Sequence, residues 1–264
     1  MRFHFVARLL FVALFLPVLG HSQKPEQPPV QRDPQALAIL QNSIAAMGGL
    51  AAAAQVTDTV VMGNVQPAAS SSVKPGTFTW KTAGPDFRYE KQSATASQVF
   101  VSGHGQPASI RGGAVTSFKP HITLANPPLH LPALFLTTVL GNKQYSVNFV
   151  GKADVNGAPA VKVRISLDTD PLSSLVTPQD WYFDAASAIP LRVEHRLPDN
   201  RRPENFVLAA DEFADFRVVA GLLVPFKITS YEEGKLVAVE TVTAVSFNNG
   251  LTSSEFDAPT GGAQ

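Results

Sequence analysis

The 264-residue sequence contains no cysteine. That excludes disulfide staples, cysteine nucleophiles and thiolate-held metal, and it excludes lipid attachment through an N-terminal cysteine. Charge is also scarce: Asp, Glu, Lys and Arg make up 16% of the residues against 45% hydrophobic ones. No basic patch is available for a polyanion, so nucleic acid is excluded as a partner. The apolar share is enough for a sizeable core. Gly-x-Ser-x-Gly and the phosphate-binding glycine loop are absent. His104, His121, His130 and His195 are scattered, and none sits with a second ligand at helical spacing. No catalytic residue, metal site or cofactor is therefore assigned. The carboxylates of Asp184, Glu194, Asp211, Glu212 and Asp215 fall in or beside strands and turns, where turn capping and solvated strand faces account for them.

Long apolar runs are missing except at the N-terminus. There Arg2 and Arg8 precede an apolar stretch over 9–19 and a small-residue exit at Gly20-His21-Ser22. Residues 1–22 read as a secretory signal peptide, since the apolar run is short for a membrane span and leads into a polar, Pro-rich stretch. Its removal takes away Arg2 and Arg8 and leaves 19 basic against 21 acidic residues, a formal charge of −2. An exported protein without cysteine suits the bacterial periplasm. Residues 23–32 read as a flexible tether.

A helix is expected over 34–47. Asp33 can cap it, Pro34 suits its first position, and Leu37, Leu40, Ile44 and Met47 recur at three- and four-residue spacing before Gly48-Gly49. A second helix, apolar almost all round, is expected over 132–140, ending at Gly141-Asn142. Between and after them the pattern is that of strands. Phe78, Trp80 and Thr82 alternate with polar neighbours, Val155-Asn156-Gly157-Ala158 is a two-residue hairpin turn, and Val161, Val163, Ile165 and Leu167 share a face. Without a linker to divide it, 33–258 reads as one domain, with a frayed tail over 259–264.

The stretch 181–247 organises the chain. Trp181-Tyr182-Phe183-Asp184, a turn, and Ile189-Pro190-Leu191-Arg192-Val193-Glu194 form one hairpin; the run from Phe213 through Gly221 to Ile228 forms another. Leu222, Val224, Phe226 and Ile228 line one side of a strand, and the odd positions Val237, Val239, Val245 and Phe247 are expected to share a face of the next. An antiparallel meander with one apolar face results, and that face must be covered.

These two phrases resemble the C-terminal half of the periplasmic lipoprotein-sorting carriers (the LolA-like, or outer-membrane lipoprotein carrier, superfamily), and the order of elements is similar over roughly 33–258. The resemblance implies an α+β, mainly β fold. Its curved antiparallel sheet would form an incomplete β-barrel with helices covering the concave face. It also implies a non-enzymatic role, binding or carrying lipid or lipoprotein acyl chains in the hollow, with transient membrane contact. Trp80, Phe87, Leu134, Phe135, Val139, Trp181 and Phe183 are the candidate lining residues. If the hollow is filled by its own side chains, the fold would instead serve as a sensor or binding module for another envelope protein. The carriers latch their lid with a basic residue, to which no position here is matched by motif. Arg201-Arg202 reads as an exposed basic loop.

Overall fold

A computed structural model describes residues 29–71, 74–119, 131–198 and 206–258. The expected leader, most of the tether, His121, His130, Arg201, Arg202 and the tail over 259–264 lie outside the described residues.

Short turns and period-two patterning leave each strand to pair with its neighbour in sequence. Strands β1 (Asp58–Pro67), β2 (Gly76–Ala83), β3 (Asp86–Ser93), β4 (Ser97–Gly103), β5 (Gln106–Arg111) and β6 (Ala114–Ser117) form one antiparallel meander. A second comprises β7 (Tyr145–Val155), β8 (Ala158–Leu167), β9 (Gln179–Asp184), β10 (Pro190–Pro198), β11 (Phe206–Val219), β12 (Leu222–Glu232) and β13 (Lys235–Phe247). The meanders join where β1 pairs with β13, giving one 13-stranded sheet ordered from β6 through β1 and β13 to β7. The two end strands do not pair with each other, so the sheet is an incomplete barrel.

Four helices accompany it among the described residues: α1 (Pro34–Ala46), α2 (Leu50–Ala54), α3 (Pro132–Gly141) and α4 (Pro171–Val176). Asp33 caps α1 by accepting from Gln35 N–H at 2.8 Å. Ala36, Leu40, Ile44 and Met47 are fully buried and join Leu136 and Val139 of α3 over the inner-face residues Val163, Ile165, Trp181, Phe183, Val193, Phe213, Leu222, Val224 and Ile228. Each fully buried large aliphatic or aromatic side chain contributes about 1.5–3 kcal/mol. Gly48 (φ 113°) lets α1 meet the β11–β12 turn; a Cβ there would lie 2.1 Å from Gly221 O, where Leu223 N–H donates to Met47 O.

Two expectations change. Thr243 is an extra residue in β13, for Gly63 pairs with Val242 and Met62 with Ala244. This bulge switches faces: Ala238, Glu240 and Val242 share the inner face with Val245 and Phe247. Val237 and Val239 do not, because one inserted residue reverses a period-two pattern. The tether is also shorter than expected, because Gln31 and Arg32 are docked. Gln31 N–H donates to Ser146 Oγ at 2.9 Å, and Gln31 O accepts from Val147 N–H at 2.7 Å.

Candidate functional site

The helices cover the inner face unevenly. Under α1 the space is filled, whereas beside β1–β4 and the ends of β7–β9 a cavity of about 750 Å³ opens between the sheet and the α2–α3 cover. Its helical wall is Ala53, Leu131, Leu134, Phe135, Thr137 and Thr138; across from it stand Phe87, Thr59, Thr82 and Ser102. The volume lies within the range of pockets for small organic ligands.

About half of the lining residues are polar, yet their polar groups are largely engaged by the protein itself. Thr137 and Thr138 donate their hydroxyls back to Ala133 O and Leu134 O within α3. Thr59 Oγ1 and Thr82 Oγ1 bond each other at 2.7 Å, Gln179 Oε1 accepts from Trp181 Nε1 at 2.8 Å, and Thr177 Oγ1 accepts from Leu167 N–H and donates to Ser173 O. Asp58 accepts from the Asn249 side chain and from N–H groups of Asn249, Gly250 and Leu251. Burial pushes the Asp58 carboxyl up, but these donors outweigh it and hold it below the usual carboxylate range. Burial also pushes the Tyr145 phenol up, so it stays protonated. A lining whose hydrogen bonds are already made asks little of a ligand and behaves as an apolar surface.

The candidate lining residues fall in three places. Phe87, Leu134 and Phe135 touch the cavity. Val139, Trp181 and Phe183 stand behind it in the packed layer, with Trp181 stacked 5.4 Å from Phe135 and 6.3 Å from Phe183. Trp80 stacks on Phe87 at 5.4 Å and lines a second, smaller cavity of about 210 Å³ on its other side. Core and wall positions share an apolar inward pattern, so periodicity alone does not separate them.

Sequence reading missed Arg32. Its Nη1 donates to Val139 O, Asn142 O and Tyr145 O at 3.0–3.2 Å, and its Nη2 to Leu140 O at 2.9 Å. One guanidinium thus satisfies the orphan carbonyls at the C-terminus of α3 and complements the negative end of its dipole. The only forward signal was a lone arginine before a helix cap. Among the described residues no group of three or more His, Asp and Glu could hold a metal ion.

No protein-family model matches the sequence, and no curated protein matches it. Solved structures do. A domain described as an outer membrane lipoprotein-sorting protein from Vibrio parahaemolyticus superposes with a TM-score of 0.53 at 16% identity, covering 84% of this chain and 96% of that one. A LolA superfamily protein from Nitrosomonas europaea and a DUF1329 family protein from Desulfovibrio piger each give a TM-score of 0.54 at 10% identity, covering 84% of this chain and 97% of theirs. At these identities the likeness is one of fold, and the chain has the LolA-like fold.

Proposed function

We propose that this protein is an exported, non-enzymatic binder or carrier of an apolar ligand, lipid or the acyl part of a lipoprotein, held in the 750 Å³ cavity. The observation that carries this reading is the internal satisfaction of the cavity's polar lining. A hydrocarbon chain loses nothing by failing to hydrogen-bond there, and each buried CH₂ contributes about 0.8 kcal/mol. An open cavity of this size also weighs against the rival in which a filled hollow serves only to bind another envelope protein. The likeness in fold to structures described as lipoprotein-sorting proteins agrees with this reading, as does the leader-like sequence over 1–22. Arg32 would then act as the latch of the cover, since release of its four hydrogen bonds frees the C-terminal end of α3 from the start of β7 at Tyr145.

Native mass spectrometry of protein expressed with its leader tests the proposal. Co-purified lipid, or uptake of a fluorescent fatty acid by the emptied protein, is expected. Leu134 is the preferred position for a blocking substitution, because Phe135 also stacks on Trp181 and its replacement would disturb the core. Leu134→Asp places a charge on the cavity wall and should cut uptake tenfold or more with the circular dichroism of the sheet unchanged. A protein that carries no lipid and takes up no fatty acid would remove the carrier reading.

A further inference from the structure

The smaller cavity has the opposite chemistry. It lies on the inner face between β3 and β10–β13, on the far side of the Trp80–Phe87 stack from the large one. His195 on β10 is 3% exposed. Its Nε2 lies 2.9 Å from Asp211 Oδ2 on β11, and Asp211 Oδ1 accepts from Ser230 Oγ on β12 at 2.5 Å. Because the carboxylate only accepts, the neutral imidazole carries its hydrogen on Nε2 and leaves Nδ1 as a bare acceptor. That Nδ1 is buried and has no hydrogen-bond partner among the described residues, a state a folded protein rarely leaves standing. Glu240 on β13, 6% exposed, accepts from the Tyr89 hydroxyl on β3. Burial, with Glu240 beside it, holds the Tyr89 phenol well above the usual tyrosine range, so it remains a donor.

Charge around this cavity is unbalanced. Among the described residues Asp211, Glu232 and Glu240 line it against a single cation, Lys91. Lys91 Nζ stands 3.7 Å from Glu240 Oε1 and 5.0 Å from the centre of the Tyr89 ring, with its side chain 41% exposed. One ammonium, tethered to the sheet, already rests on an aromatic face beside a buried carboxylate. At about 30 Å³ per water in the liquid, 210 Å³ holds a group of about six or seven non-hydrogen atoms.

We propose that this cavity is a binding site for a primary ammonium group, which would displace Lys91 from Glu240, lie against Tyr89 and Trp80, and donate to Glu240 and His195 Nδ1. Three features select the ligand class. The carboxylate excess favours a cation, and the aromatic walls suit an ammonium. The unmet acceptor on His195 requires an N–H, which a quaternary ammonium lacks. The same group occurs on soluble alkylamines and on ethanolamine headgroups of lipids.

Side-chain ¹⁵N NMR of the intact protein reads the site directly at His195. Butylamine hydrochloride should shift the His195 nitrogens in a saturable manner, with choline at least tenfold weaker and butyrate without effect. Asp211→Asn should weaken the response at least tenfold. Lys91→Ala should strengthen it several-fold, a gain that loss of structure could not produce. Vesicles containing phosphatidylethanolamine, compared with vesicles of phosphatidylglycerol alone, separate the sources. A response confined to the ethanolamine vesicles assigns the ammonium to a lipid headgroup, and a response to butylamine alone assigns it to a soluble amine. No response to either amine source, an equal response to choline or butyrate, or weaker binding by Lys91→Ala would overturn the proposal. Fatty-acid uptake is measured separately, so loss of amine binding with uptake intact defeats this site without touching the carrier reading, and the converse holds.

Discussion

The two cavities share one sheet face and a two-ring partition, yet they differ in what they leave undone. The larger is lined by many hydroxyls, an amide and two carboxylates, and these groups are largely bonded within the protein. Among the described residues the smaller leaves a buried imidazole nitrogen unmet and gathers three carboxylates against one lysine. The count of polar residues in a wall therefore says little about what the wall will hold; their unspent hydrogen-bonding capacity decides it.

Breaking the packed layer behind the larger cavity should have the greatest effect. Trp181→Ala removes a fully buried ring stacked on Phe135, Phe183 and Phe213. It should cost about 3–5 kcal/mol in denaturant unfolding. A cost below about 1 kcal/mol would mean that no rigid backing separates wall from core. Asp58→Ala should come next, at about 3 kcal/mol, because it strands the N–H groups of Asn249, Gly250 and Leu251. The Asp58 carboxyl is held below its usual value, so its contribution is fully present above the unfolded value near 3.8 and is lost as pH falls through the folded value. Acid unfolding of Asp58→Asn should accordingly show a weaker pH dependence below about pH 4 than that of the parent.

Arg32→Ala should destabilise by about 1.5–3 kcal/mol, the worth of charge-assisted hydrogen bonds, and hydrogen exchange should rise at the C-terminal turn of α3. The smallest effect belongs to the pair Thr59→Val with Thr82→Val. Replacing both partners of a hydrogen bond by isosteric apolar groups should change stability by less than about 1 kcal/mol. Fatty-acid uptake should be unchanged. A marked change would show that the two hydroxyls meet the ligand rather than each other.

Local rules made much of the fold legible. The turn at Asn156-Gly157, with φ of 53° and 86°, and the turn at Ala220-Gly221, with φ of 47° and 84°, sit where adjacent alternating runs predict hairpins. The cap at Asp33 and the stop at Gly48 bound α1 for equally local reasons. The candidate site was less legible because its features are non-local. The bulge at Thr243 is a property of pairing with β1 and has no mark of its own in the 235–247 stretch. Asp211, expected on a solvated strand face, is instead bonded to His195 and Ser230, and these meet Tyr89 and Glu240 only after five strands from both meanders are in register. Arg32 finds its carbonyls more than 100 positions ahead. Phe87 and Trp181 are alike in pattern and differ only in whether a helix comes to rest above them.

The seam between β1 and β13 has a consequence for how such a molecule must be made. The first strand to be synthesised takes as its partner the last, and the neighbouring Thr57 and Asn248 bond across 191 positions. Until the final hairpin is complete, β1 stays bare along its inner-sheet flank, a raw edge open to mispairing with another chain. Closing so long a loop is entropically late and intrinsically slow. Chains cut short of residue 235 should therefore clump rather than assemble a smaller working version of the sheet.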